Sequence, residues 1–212
     1  MRPPQSWRTA RVTAGIAIVT ALAWLVAEAL GLQVAAAIRG GFIPVRMGMG
    51  GDFSVVPAWL TPLSATLVHS GLMHLAFNLL ILVYCGRSVE GVLGPVSLAV
   101  LYVVGAYAAA SGQYLQDPRE IMPMVGASGA IAAVIGAYAM LFGRNRVKVE
   151  NATLALWLNA LWLAAAWIGL QLLVGYATTG GAVTIAIWAH IGGFLVGIAL
   201  ARPLLIFRYR KA

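Results

Sequence analysis

Charge is what this sequence has least of. Asp, Glu, Lys and Arg make up 9% of its 212 residues, hydrophobic residues make up 61%, and the mean hydropathy is +0.89. A water-soluble domain carries roughly 25% charged residues, so this chain cannot cover a water-facing surface. That excludes a soluble globular protein and a disordered one. Cysteine is nearly absent as well. The single Cys85 excludes an internal disulfide and a paired-cysteine metal site. The net charge of +8 and pI of about 10.3 would ordinarily raise a nucleic-acid partner. Here the basic residues stand between long apolar runs, as they do in membrane proteins, and no nucleic-acid partner is expected. The sequence shows no internal repeat, low-complexity tract or second domain. The frame is an integral membrane protein, all-α, with little material outside the bilayer.

A spanning helix needs about 20 mostly apolar residues. Six runs qualify, at about 12–32, 64–84, 92–114, 125–142, 152–176 and 184–206. They make a six-helix core over 12–206, preceded by an N-terminal segment, 1–11, and followed by a basic tail, 207–212. The first run follows Arg2, Arg8 and Arg11 and is longer than a signal-peptide core, so it reads as a retained helix. Six spans put both ends of the chain on one side. Eleven of the 14 basic residues lie on that side: Arg2, Arg8, Arg11, Arg87, Arg144, Arg146, Lys148, Arg202, Arg208, Arg210 and Lys211. Only Arg39, Arg46 and Arg119 lie opposite. The positive-inside rule therefore places both termini in the cytoplasm, with the tail touching anionic lipid. The outer segments are a long Gly-, Pro- and Met-rich stretch over 33–63 with Trp59 as interfacial anchor, a Pro-broken 115–124 and a short 177–183. Short outer loops and the lack of a targeting extension fit a bacterial-type plasma membrane.

Polar side chains inside a span are costly and are functional candidates. They are Glu28, His69, His74, Asn78, Ser128, Asn159, Gln171 and His190. Counting from the nearest inner Arg at about 1.5 Å per residue, His74, Ser128 and His190 stand about 20, 24 and 18 Å from the inner edge. Three helices thus bring a serine and two histidines to one layer, about 10 Å below the outer face of a core about 30 Å thick. His190, Gly193 and Gly197 share a helix stripe whose small residues admit a close neighbour. The small-residue-rich fourth run, with Gly126, Ser128 and Gly129, is the natural partner. His74 and Asn78 are one turn apart and face the same way. His69 is about 140° around the same expected helix and reads as a structural hydrogen-bonding group. Asn159 and Gln171 read as helix-boundary polar groups without a role. Each residue alone is compatible with helix packing. Together they are compatible with a serine nucleophile activated by a neutral histidine. Donors for the oxyanion would come from His74, Asn78 and the free N–H groups at the start of the Ser128 helix. No carboxylate shares the layer, so the arrangement reads as a Ser–His dyad.

Three segments carry a resemblance. His69-Ser-Gly-Leu-Met-His74-Leu-Ala-Phe-Asn78, Gly126-Ala-Ser128-Gly129 and Ala189-His190-Ile-Gly-Gly193-Phe-Leu-Val-Gly197 resemble the signature segments of rhomboid intramembrane serine proteases, over about 55–205. The resemblance implies a six-transmembrane-helix rhomboid-like bundle with Ser128 as nucleophile and His190 as general base. It implies an oxyanion site of His74, Asn78 and the Ser128 N–H, with Gly126, Gly129, Gly193 and Gly197 as packing glycines. It implies cleavage of transmembrane protein substrates near the outer face, without metal or cofactor. It also implies a cap at 177–183 and substrate entry beside the fifth span. The sequence departs from the family pattern in three places. Trp59 is followed by Leu60 and not Arg. Ala132 stands where many members have an aromatic residue supporting the histidine. Gly86 and Glu90 keep only part of a Gly-Gly-x-x-Glu element. Two other readings stay open. One is a catalytically silent relative that binds membrane clients. The less favoured one is a haem or metal protein ligated by His69, His74 and His190.

Overall fold

The computed structural model describes residues 10–48, 56–143, 149–178 and 186–210. The cap expected over 177–183 lies almost wholly outside the described residues. So do most of the N-terminal segment, the centre of the 143–151 connection and the last two residues of the tail. Among the described residues the regular structure is helical, with one isolated antiparallel bridge between Phe42 and Met124. The main helices are α1 (Arg11–Ala29), α2 (Gln33–Gly40), α3 (Leu72–Leu93), α4 (Pro95–Gln116), α5 (Ser128–Phe142), α6 (Ala152–Thr178) and α7 (Ile187–Tyr209). Five of them, α1, α3, α4, α6 and α7, are long and apolar enough to cross a membrane, and α5 is a shorter apolar helix. With α5 the protein is a six-helix membrane bundle. α2 lies in the outer connection between the first two spans.

α5 is the centre. Gly129, Ala130, Ile131, Ala132, Ala133, Val134, Gly136 and Ala137 are all buried, so it is enclosed on every side, as a central helix must be. α7 and α4 flank it and also touch each other, and α6 packs mainly against α7. Glycines set the spacing. A Cβ at Gly193 would strike the carbonyl of Gly129, one at Gly197 the carbonyl of Ala133, and one at Gly136 the carbonyl of Phe194. Contact of this kind between backbones supplies the dispersion that holds helices together in lipid, where no hydrophobic gain exists between them. The outward faces of α1 and α6 carry large exposed apolar groups, among them Leu22, Leu25, Trp157, Leu161 and Leu173. These are the surfaces for lipid tails.

The second span differs from its sequence reading. The apolar run at 64–84 is not one helix. Short turns cover Thr61–Ser64 and Ala65–Leu67, and α3 begins only at Leu72. It then runs through a π-type turn at Leu82–Gly86 to Leu93, absorbing the expected 85–91 connection. Hydropathy sees the apolar side chains but not the break at Ser70 and Gly71. The actual reversal is at Gly94, whose φ of +85° favours glycine. Pro95 follows as the first residue of α4, where its missing N–H is no loss.

Glu90 is the one fully buried carboxylate among the described residues. It accepts from the Val12 N–H (2.9 Å), the Thr13 N–H (2.8 Å) and the Thr13 hydroxyl (2.7 Å). Those are orphan donors in the first turn of α1. An acid on α3 therefore caps α1 from outside, and its charge suits the positive end of that helix. Gly86 makes room for the contact, since a Cβ there would come within 3.0 Å of the Thr13 methyl. Glu90→Ala should lower stability by about 3 kcal/mol, read as a fall in Tm in detergent. Glu90→Gln, which keeps one acceptor, should lose less.

Candidate active site

α5 has 15 residues, about 22 Å of helix, in a hydrocarbon core of about 30 Å. A helix of that length falls short of crossing the core, and the chain leading to Ser128 is irregular backbone. Such backbone persists only where protein satisfies its polar groups. Phe42 and Met124 exchange both backbone hydrogen bonds, at 3.0 and 2.8 Å, and the Gly126 N–H donates to the Ala65 carbonyl at 2.9 Å. The Val45 N–H donates to the Glu120 carbonyl at 3.2 Å. The Ala127 N–H donates to His69 Nε2 at 3.4 Å. The outer connection thus builds the entry to α5. Tyr107 donates to the Trp59 carbonyl at 3.0 Å and Ser64 to the Gly40 carbonyl at 2.6 Å, which ties that connection down in the absence of the Trp-Arg pair.

Ser128 opens α5 and His190 sits in the first turn of α7. Ser128 Oγ lies 2.8 Å from His190 Nε2. The positive ends of two helices converge here, because the Gly193–Gly129 crossing lies one turn further in. His74 is also drawn in. Gly126 has a φ of +111°, and a Cβ there would meet the His74 ring at 2.6 Å. Gly126 is therefore required by its backbone conformation and by the ring beside it, which is more than the packing role read from sequence. His74 Nδ1 lies 3.1 Å from Ser70 Oγ. Asn78 is buried, and its amide nitrogen donates to the His74 carbonyl at 2.8 Å, which leaves its second N–H for another acceptor. His69 does not lie on the helix that carries His74. It sits in the turn before α3, 4.9 Å from the His74 ring, so the angular separation read from sequence does not apply. Its hydrogen bond to Ala127 stands in place of that reading.

Two residues without an assigned role belong to the site. His190 Nδ1 lies 3.0 Å from Gln171 Oε1, and Gln171 is 7% exposed. Trp167, one turn before it on α6, donates its indole N–H to the His190 carbonyl at 3.2 Å and stacks on Phe194 at 4.6 Å. Gln171 stands seven residues, about 10 Å, from the end of α6 at Thr178. Ala132 lies against Gly193, where a Cβ would be 3.3 Å away, so the position that supports the histidine elsewhere is occupied by the helix crossing. Among the described residues no three His, Cys, Asp or Glu side chains gather as a metal site.

The family model of the Rhomboid domain matches residues 57–207. The chain belongs to the rhomboid family. RHOMBOID-like protein 5 of Arabidopsis thaliana is 30% identical over 144 residues, which cover 68% of this chain and 43% of that protein. Rhomboid protease GluP of Bacillus subtilis is 29% identical over 145 residues, 68% of this chain and 27% of that one. Rhomboid protease GlpG of Yersinia pestis is 32% identical over 138 residues, 65% of this chain and 45% of that one. The match spans less than half the length of each of these relatives. The family includes serine proteases of membranes, and in this rhomboid chain a serine and a histidine stand in hydrogen-bond contact. His69→Ala should leave the buried Ala127 N–H unpaired at the head of α5. The expected cost is about 1–3 kcal/mol, read as a lower Tm in detergent.

Proposed function

We propose that the protein is an intramembrane serine endopeptidase that cleaves transmembrane protein substrates in or beside their membrane segments. The observation that carries this reading is the 2.8 Å contact between Ser128 Oγ and His190 Nε2. Ser128 donates its proton to His190 as the hydroxyl attacks the scissile carbonyl. Negative charge then develops on the carbonyl oxygen at the start of α5. The Ser128 N–H, the spare Asn78 N–H and the His74 Nε2–H receive it. Ser70, by donating to His74 Nδ1, fixes the tautomer that leaves Nε2–H as donor. His190 then passes its proton to the leaving amine, and the acyl group stays on Ser128. A water molecule, deprotonated by His190, releases it. No metal or cofactor enters these steps, and no nucleic acid is a partner. The substrate and the surrounding lipid are. The charge asymmetry of the sequence supports cytoplasmic termini, an active site opening toward the outer face and a plasma-membrane location.

The test uses the purified chain in detergent, a transmembrane substrate with a small residue at its outer boundary, and a fluorophosphonate probe. Wild type should cleave and be labelled, and Ser128→Ala should do neither. Cleavage that survives in Ser128→Ala would sink the assignment. An unlabelled wild type that cleaves none of a panel of substrates would favour a relative that binds clients without cutting them, whereas labelling without cleavage would mean that the panel lacks the substrate. Asn78→Ala should lower kcat about 100-fold or more, the effect of removing one oxyanion donor. Gly126→Ala should abolish labelling, because the methyl group meets His74.

A further inference from the structure

We infer that Gln171 is a positioning residue for His190, the third member of an uncharged Ser–His–Gln relay; this rests on the dyad reading above. To accept a proton from Ser128 at Nε2, neutral His190 must carry its own proton on Nδ1. That N–H needs an acceptor aimed along the ring plane, since a buried polar group without one is costly. Among the described residues no carboxylate supplies it: Glu90, the buried acid among them, is taken up by the start of α1. Gln171 Oε1 stands 3.0 Å from Nδ1 and is buried. A side-chain amide has an acceptor end and a donor end. The acceptor end selects the tautomer with a free Nε2 lone pair. The donor end would select the opposite tautomer, which cannot act as base. The Trp167 indole, one turn away, grips the His190 carbonyl and stacks on Phe194, so α6 holds both the ring and the backbone of this residue. α6 packs mainly on α7 and faces outward with Trp162, Leu172 and Leu173. The orientation of His190 therefore depends on α6 staying docked against α7, and a displacement of α6 removes the acceptor.

The experiment compares Gln171→Met and Gln171→Glu with wild type and Ser128→Ala. It measures labelling rate, kcat, KM and Tm in detergent, and the ring 15N shifts of His190 in histidine-labelled protein, assigned with His190→Ala. Methionine has similar length and no acceptor, and glutamate has acceptors only. Gln171→Met should keep its Tm and KM while kcat falls about tenfold, the worth of one hydrogen bond. Its Nδ1–H signal should weaken in favour of the other tautomer. Gln171→Glu should lower Tm, because a carboxylate is buried, yet recover most of the lost rate. A residue that only ties two helices predicts the reverse order, with rates following stability. Gln171→Met with a wild-type kcat, or Gln171→Glu as slow as Gln171→Met, overturns the proposal while the dyad stands. Failure of the dyad shows differently, as an unlabelled wild type or a labelled Ser128→Ala. In that case the tautomer signal still decides on Gln171, and an unchanged signal in Gln171→Met overturns it.

Discussion

The half of the bundle that holds Ser128 and His190 depends on how closely α5 and α7 approach. Ser128 and His190 come from different helices, 62 residues apart. Their side chains are short, and a 2.8 Å contact between them needs backbones almost touching. Gly193 against the Gly129 carbonyl and Gly197 against the Ala133 carbonyl provide that approach. In lipid it is also the main source of helix association, since tails outside are as apolar as the side chains inside. One crossing therefore does two things. It fastens the centre of the fold and sets the distance between Ser128 and His190. The small size of Ala132 belongs to the same crossing. An aromatic ring there would compete with Gly193 for space, and support for His190 comes from α6.

A second constraint acts through the backbone. Polar groups of the main chain must find partners at membrane depth, yet α5 is too short to span a core by itself and its entry segment is irregular. The outer connection resolves this by pairing with it at Phe42, Val45 and Ala65, and His69 takes the Ala127 N–H. The inner end meets the same demand at α1, where Glu90 accepts from the first turn. Neither device touches the side chain of Ser128 or His190. Both fix helices whose ends would otherwise expose donors to hydrocarbon, and so both fix the frame in which the dyad sits.

How much of this could be read from the sequence follows from what patterns record. Apolar runs and basic residues gave six helices in order, and the depth ruler placed Ser128, His74 and His190 in one layer. The ruler rests on the constant helical rise, and Ser128 and His190 do meet, at 2.8 Å. It failed where the helix assumption failed. His69 lies in a turn before α3, and the helix continues past Arg87 to Leu93, because hydropathy is blind to a glycine break inside an apolar run and to a helix that extends through a basic residue. Gln171 was visible as a polar residue in a span but was given no role. What connects it to His190 is the docking of α6 on α7, and the rotation of one helix about another leaves little trace in a single sequence. Gly126 was legible as a small residue. Its positive φ and the ring beside it were not.

That no acid among the described residues stands beside His190 has a physical reason in the same structure. Glu90 shows what this bundle needs in order to bury a carboxylate: three donors within 2.9 Å at the positive end of a helix. An ionised group in low dielectric without such a set costs several kcal/mol. Gln171 Oε1 faces His190 Nδ1, and the indole of Trp167 is already committed to the His190 carbonyl. An amide oxygen needs no more than that. Gln171 gives the imidazole an acceptor without importing a charge that nothing nearby would balance. A carboxylate in its place would hold a protonated imidazole more strongly, and it would also stand buried and charged whenever the imidazole is neutral. In a helix that faces lipid along much of its length, the neutral acceptor is the arrangement that the surroundings can sustain.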